Sequence, residues 1–153
     1  MNYWLLKSEP ECYSIDDLKR DKTTFWDGVR NYQARNFMTQ EMKVGDLAFF
    51  YHSNADPSGI AGIAKIVKPA TPDLTALDPN EDHYDPKATV QKPIWYGVTL
   101  EYVNSFNKIV TLKSLHSYPE LKNMIVLQKG SRLSVMPVTK DEFEFVKKLG
   151  QQR

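Results

Sequence analysis

Apolar residues fall along this chain in two rhythms, one of about two residues and one of three to four, and together they mark out its elements. Tyr3 to Lys7 (YWLLK) reads as a short buried strand, closed by the polar break Ser-Glu-Pro. Ser14-Ile-Asp-Asp17 has the form of a capping box, in which a serine oxygen and a carboxylate three residues on satisfy free amides at a helix start. It predicts a short helix to about Arg20. After a loop through Trp26 and Gly28, Asn31 suits an N-cap, and Ala34, Phe37, Met38 and Met42 recur at helical spacing. Tyr32 to Met42 is therefore expected to be a helix with one apolar face.

Lys-Val-Gly-Asp turns the chain into Leu47 to His52, a strand with both faces mostly apolar. Gly59 to Val67 is a second such strand, and the turn-forming SNADPSG between the two makes them hairpin partners. Ile94 to Val103 and Arg132 to Val138 read as two more strands, with a helical turn over Leu112 to Ser117 between them. Thr139-Lys-Asp-Glu142 is a second capping box, and Phe143, Val146 and Leu149 mark one face of a terminal helix. Pro69 to Pro93 is rich in Pro, Asp and Asn and has no clear period, which predicts a long loop, a functional lid or a mobile one. Short strands with helices inserted, without strict βαβ alternation, indicate an α+β fold built on a small curled sheet or barrel.

At 153 residues the chain is expected to form one domain, 1–153. The single Cys12 forms no internal disulfide and no signal segment opens the chain, so the expected setting is the cytoplasm. The apolar runs are too short for a helix that spans a bilayer, and no membrane partner is expected. A net charge of +1 argues against a protein that coats nucleic acid through many phosphate contacts. The charge is uneven: from Asn107 onward nine Lys+Arg face four Asp+Glu, whereas Ala70 to Lys92 carries two against five.

Catalytic and phosphate-binding fingerprints are missing. The sequence has no G-x-x-x-x-G-K-[ST], no G-x-G-x-x-G and no G-x-S-x-G, and Cys12 stands beside Glu11, which disfavours its thiolate. Asp78 to His83 (DPNEDH) starts like a calcium loop, but His83 stands where the turn needs glycine and Thr89 where the bidentate Glu belongs, so no metal is expected. Gly59 to Gly62 matches the G-x-x-G of KH domains, yet it lies in a strand-like run where close backbone packing is the better account. His52 and Ser53 are adjacent on an extended chain and point to opposite faces, so they do not form a catalytic dyad. His116 reads as a surface residue.

Lys7 to Pro10 (KSEP), Trp26 to Asn36 (WDGVRNYQARN), Gly45 to Asn54 (GDLAFFYHSN), GIAGIAKIV, Tyr84 to Lys87 (YDPK) and Arg132 to Thr139 (RLSVMPVT) resemble the successive signatures of the EVE domain family. The resemblance implies the PUA-like fold, a curled mixed β-sheet or barrel flanked by helices. It also implies a non-enzymatic binding module without a cofactor. EVE domains are similar to YTH domains, which hold a methylated adenine in an aromatic cage, and eukaryotic members are associated with modified cytosines in DNA. Short stand-alone members are common in bacteria. The implied partner is DNA or RNA carrying a modified base.

An extruded base is read by stacking on a ring and by hydrogen bonds to its edge. By resemblance, Trp26 is the candidate stacking wall, Ser8 the pocket floor and Asn31 an amide for the base edge, with Tyr51, His52 and Ser53 as further walls or polar contacts. Arg30, Arg35 and Arg132 are candidates for flanking phosphates. Spacing alone supports a structural account as well: Trp26 covering the sheet, Asn31 capping its helix, and Arg30 or Arg35 pairing with Asp27 or Glu41. Two other functions stay open, an enzyme using His52 with Asp27 or Glu9, and a protein adaptor using the Pro69 to Pro93 loop.

Overall fold

In the computed structural model, which describes residues 1–129 and 133–152, six strands form one sheet in the order β2-β5-β4-β3-β1-β6. The strands are β1 (Tyr3–Ser8), β2 (Thr23–Phe25), β3 (Leu47–His52), β4 (Gly59–Pro72), β5 (Tyr96–Thr111) and β6 (Val135–Val138). The helices are α1 (Ile15–Asp21), α2 (Tyr32–Asn36), α3 (Leu112–His116) and α4 (Lys140–Gly150). β1 pairs parallel with β3 and antiparallel with β6, and the remaining ladders are antiparallel, so the sheet is mixed. Among the described residues no ladder joins β2 to β6, so the sheet is open and the barrel alternative does not hold.

β4 and β5 form a long ribbon whose register shifts at four places, and each bulge bends the sheet and increases its twist. A Cβ at Gly62 would collide with the Asn104 carbonyl across this ribbon, which bears out close packing for the GIAG run. Alternation along the central strands sends side chains to both faces. Trp4, Leu6, Phe50, Ile66 and Leu100 pack with Leu18 of α1, Ala34 of α2 and Trp26, while Leu5, Phe49, Ile63 and Phe106 pack with Leu115 of α3 and Phe143 of α4. Both capping boxes are formed, Ser14 with Asp17 and Thr139 with Glu142. No helix among the described residues is long and apolar enough to cross a membrane.

Three expectations change. The helix over Tyr32 to Met42 is α-helical only to Asn36 and then widens into a π-helical turn, Phe37–Glu41, which shifts the apolar face by part of a turn and still buries Met38. β2 was not legible, because Thr23-Thr-Phe25 is too short to alternate, and the strand over Ile94 to Val103 starts at Tyr96 and runs on to Thr111. The Pro69 to Pro93 segment is also more ordered than its composition suggests: β4 continues to Pro72, a 3-10 turn covers Leu74–Leu77, and Ala76, Ala88 and Trp95 form a small core of their own.

Candidate functional site

Parallel pairing brings the ends of β1 and β3 together at Ser8 and His52. The chain leaving β1 folds back on itself, with the Ser8 hydroxyl donating to the Tyr13 carbonyl at 2.7 Å, and the chain leaving β2 runs into Trp26-Asp27-Gly28. Between them opens a cleft of about 510 Å³ lined by Ser8, Glu9, Tyr13, Trp26, Asp27 and His83, with Lys7, Cys12, Thr24 and Ser134 also on its walls. Its volume lies in the range of small-molecule sites. A hollow of about 470 Å³ beside Asn2, Tyr3 and Lys140 is nearly as large, so size does not choose between them. Chemistry does. The tryptophan at that hollow, Trp4, already donates its indole N–H to Asp46 at 3.0 Å.

Trp26 is held from behind. Its backbone N–H donates to the Val98 carbonyl at 2.8 Å, and its ring meets Phe50 edge to face, with centroids 5.4 Å apart. It is 7% exposed and belongs to the core as well as to the cleft wall. Trp95 donates its indole N–H to Asp85 at 2.7 Å, as Trp4 does to Asp46, whereas among the described residues the Trp26 N–H has no acceptor.

One wall is supplied by the long segment after β4, and a buried aspartate fixes it there. Asp73, fully buried, accepts from the Gly28 N–H and Arg30 Nη1, both at 2.9 Å, and from the Thr75 N–H and hydroxyl at 3.0 and 2.6 Å. Burial alone would raise its pKa; the Thr75 hydroxyl, the Gly28 amide and Arg30 outweigh that and hold the carboxyl below its ordinary value. Arg30 also donates twice to the His83 carbonyl, at 2.9 and 2.7 Å, which sets the His83 ring against Gly28. Gly28 has φ +77°, and a Cβ there would come within 2.8 Å of that ring. The Asp-x-Thr turn of Asp73-Leu-Thr75 was the available sequence signal for this latch.

The candidates picked from sequence divide. Ser8 and Trp26 lie on the cleft. Asn31 caps α2, its side-chain oxygen accepting from the Ala34 N–H at 3.0 Å, and it does not line the cleft. Tyr51 is buried in the core on the other face of the sheet, with Leu5 and Phe49. His52 is buried, and its Nε2 accepts from the Ile15 N–H at 3.1 Å, so the ring is neutral and anchors the start of α1. Burial pushes its pKa down, with the Asp16 carboxylate opposing. Ser53 donates its backbone N–H to the Ser8 carbonyl at 2.9 Å but does not line the cleft.

Arg30 is a strut rather than a free cation. All five of its donors are engaged, on Val29, Asp73, Thr75 and twice on His83. Arg35 donates to the Asn36 side chain and the Ile94 carbonyl and lies over the Tyr32 ring, 4.9 Å from its centroid. Neither arginine pairs with Asp27 or Glu41, contrary to the structural account from spacing; Arg30 pairs with Asp73. Arg132 lies outside the described residues.

Asp27 and His83 are the residues that sequence reasoning undervalued, one met only as an assistant to His52 or a partner for an arginine and the other as the position that spoils a calcium loop. Asp27 stays exposed at the cleft, while the packing around it and then the Asp73 carboxylate push its carboxyl up from its ordinary value. Lys7 also borders the cleft, but its ammonium lies over the Tyr51 ring, 5.7 Å from the centroid, and burial lowers its pKa. Among the described residues no group of His, Cys, Asp and Glu is arranged to hold a metal.

An open mixed sheet flanked by helices, with a cleft beside the ends of its parallel strands, defines a PUA-like α+β domain. The EVE domain model matches residues 2–149, and the chain belongs to that family. It is 44% identical over 170 residues to human thymocyte nuclear protein 1, covering 99% of this chain and 75% of that protein. A Pseudomonas syringae protein of known structure superimposes with a TM-score of 0.93 at 50% identity, covering 96% of this chain and 98% of that one. The crystal structure of the human THYN1 protein in complex with DNA containing 5-methylcytosine matches with a TM-score of 0.93 at 45% identity, covering 100% and 99%. Relatives thus occur in bacteria and in eukaryotes, and kinship does not assign this chain to either.

Proposed function

We propose that this protein is a non-enzymatic reader that takes a single modified base, methylated cytosine in DNA, into the cleft walled by Trp26. The observation that carries the reading is Trp26 itself, a ring braced by Phe50 on the wall of a cleft large enough for a nucleotide, with its N–H left without an acceptor among the described residues. Kinship with a human protein crystallised with 5-methylcytosine DNA supports the ligand class. A ring of this kind contributes about 1–3 kcal/mol per stacked base. The methyl group adds only about 0.8 kcal/mol, so preference for it rests on the shape of the pocket.

Binding, not turnover, is the reading we adopt, because His52, the histidine singled out from the sequence as an acid or base, is buried and engaged at the start of α1. With a net charge of +1 and Arg30 fully engaged, few phosphate contacts are expected, and the salt dependence of affinity should be shallow. The test is a fluorescence-anisotropy titration with labelled oligonucleotides carrying cytosine, 5-methylcytosine, adenine or N6-methyladenine at one position, using wild type and Trp26→Phe. Tighter binding of one methylated strand, lost in the variant while the fold is retained by circular dichroism, supports the reading. Equal binding throughout, or an unaffected variant, rejects it.

A further inference from the structure

We propose that Asp27 reads the pairing edge of the bound base and distinguishes a 5-methylcytosine from a thymine through the group at position 4 of the ring. The inference rests on the reading above and goes beyond it by assigning the chemistry of selection. A thymine and a 5-methylcytosine have nearly the same shape, and both carry the methyl group. Stacking on Trp26 and a snug methyl pocket therefore treat the two alike. Only a polar group facing the edge can separate an amino group beside an unprotonated N3 from a carbonyl beside a protonated N3.

Asp27 is the aspartate that lines the cleft, and three aspartates elsewhere in the fold show what an engaged one looks like. Asp46 accepts from Trp4 Nε1 and from the Asn2 and Lys43 amides. Asp73 is taken by Gly28, Arg30 and Thr75, and Asp85 by Trp95 and the Lys87 amide. Each of these closes a donor of the fold itself. Asp27 directly follows Trp26 and lines the same cleft, and among the described residues its carboxyl has no hydrogen-bond donor or salt-bridge partner from another residue. A carboxyl left open beside a stacking wall is an acceptor for the cytosine 4-amino group, and the same carboxyl faces a thymine with a repelling carbonyl.

The second hydrogen bond involves a proton. Cytosine N3 is an acceptor, so a carboxyl that accepts from the 4-amino group binds best when one proton is taken up and carried on N3, which leaves both carboxylate oxygens as acceptors and keeps the repulsion of a thymine 4-carbonyl. The upward push on Asp27 from its surroundings favours that proton. The groups around it are Asp73, which raises it, and His83 and Arg30, which oppose. Glu9, Cys12 and Tyr13 line the same cleft, and Lys7 borders it with its ammonium 5.7 Å from the Tyr51 ring centroid. Glu9 is occupied by the Asn54 amide at 2.7 Å, and the Tyr13 hydroxyl by Asp21 at 2.9 Å. Affinity for 5-methylcytosine should therefore fall as pH rises through the Asp27 titration, because the protonated site is the one that binds.

The experiment uses single-stranded oligonucleotides, in which base-pair opening plays no part, identical except for 5-methylcytosine or thymine at one position. Wild type, Asp27→Ala, Asp27→Asn and Trp26→Phe are titrated at about pH 5.5 and about pH 8. Wild type should favour 5-methylcytosine by at least about fivefold, the lower end of what a paired edge contact gives. Asp27→Ala should lose that preference. Asp27→Asn presents an amide oxygen to the 4-amino group and an amide N–H to N3, so it should bind 5-methylcytosine with no dependence on pH. The inference is overturned if Asp27→Ala keeps the preference, or if Asp27→Asn shows the wild-type pH profile, which would assign the titration to another group. If Trp26→Phe also binds as wild type does, the base-pocket reading fails together with it.

Discussion

Two neighbouring regions of this protein are made of the same kinds of residue and use them in opposite ways. Around Trp95, the indole N–H is closed by Asp85, Arg30 and Arg35 lie 5.5 and 5.9 Å from the ring, and Tyr32 stacks on it at 4.9 Å. Around Trp26, the ring is braced from behind, but neither its indole N–H nor the Asp27 carboxyl has a partner from another residue among the described ones, and both residues line a cleft. A buried polar group without a partner costs stability, so a fold satisfies its donors wherever it can. Leftover polar capacity at a cleft, beside a region where almost none is left over, is the contrast that supports the proposed site.

The comparison breaks most visibly at Asp73, which joins the two regions. Asp73→Ala leaves Arg30 and the Gly28 amide without their buried acceptor and should cost about 3–5 kcal/mol by chemical denaturation. Swapping the two rings sharpens it. Trp26→Phe, which keeps an aromatic face but loses the larger ring and its N–H, should weaken binding of the methylated oligonucleotide by about 1 kcal/mol, the lower end of the cost of removing a stacking ring, whereas Trp95→Phe should lower stability within the usual ~0.5–3 kcal/mol and leave affinity nearly unchanged. The same effect from both would erase the distinction.

Smaller effects test the joints. Gly28→Ala places a methyl against the His83 ring at a positive φ, and an unfolding midpoint lowered by about 1–2 kcal/mol is expected, with His83 driven out of the cleft. The smallest expected effect is on pH. The His52 pKa is depressed in the folded state, so the folded state binds fewer protons than the unfolded one. Its contribution to stability is complete above the unfolded value and is lost as pH falls below about 6.5. Melting temperatures of wild type and His52→Gln, measured across that range, should differ in slope, with wild type the steeper.

Local rules made much of the fold readable. Ser14 with Asp17 and Thr139 with Glu142 carry their capping chemistry within four residues, and Leu47 to His52 announces a strand by composition alone. What escaped depends on distant partners. β2 is a strand because Thr23–Phe25 find Thr99–Glu101, and the polar end of β4 is held by β5 despite Pro69 and Pro72. The site follows the same rule. Ser8 and Trp26 stood out as residue types in a family pattern, whereas Asp27 gained its meaning only when Asp46, Asp73 and Asp85 proved to be occupied. The arginines misled because a guanidinium looks free in a sequence, and Arg30 reaches across more than forty residues to Asp73.

The pairing of β1 with both β3 and β6 has a consequence for how the protein folds. Tyr3 lies opposite Val138, and Lys7 donates its backbone N–H to the Ser134 carbonyl, so β1 is completed only when a strand far along the sequence reaches it. Contacts of such long sequence separation slow folding. Ser8 and Ser134 both line the cleft, so its walls come from segments far apart in the sequence and the cleft takes shape late in folding.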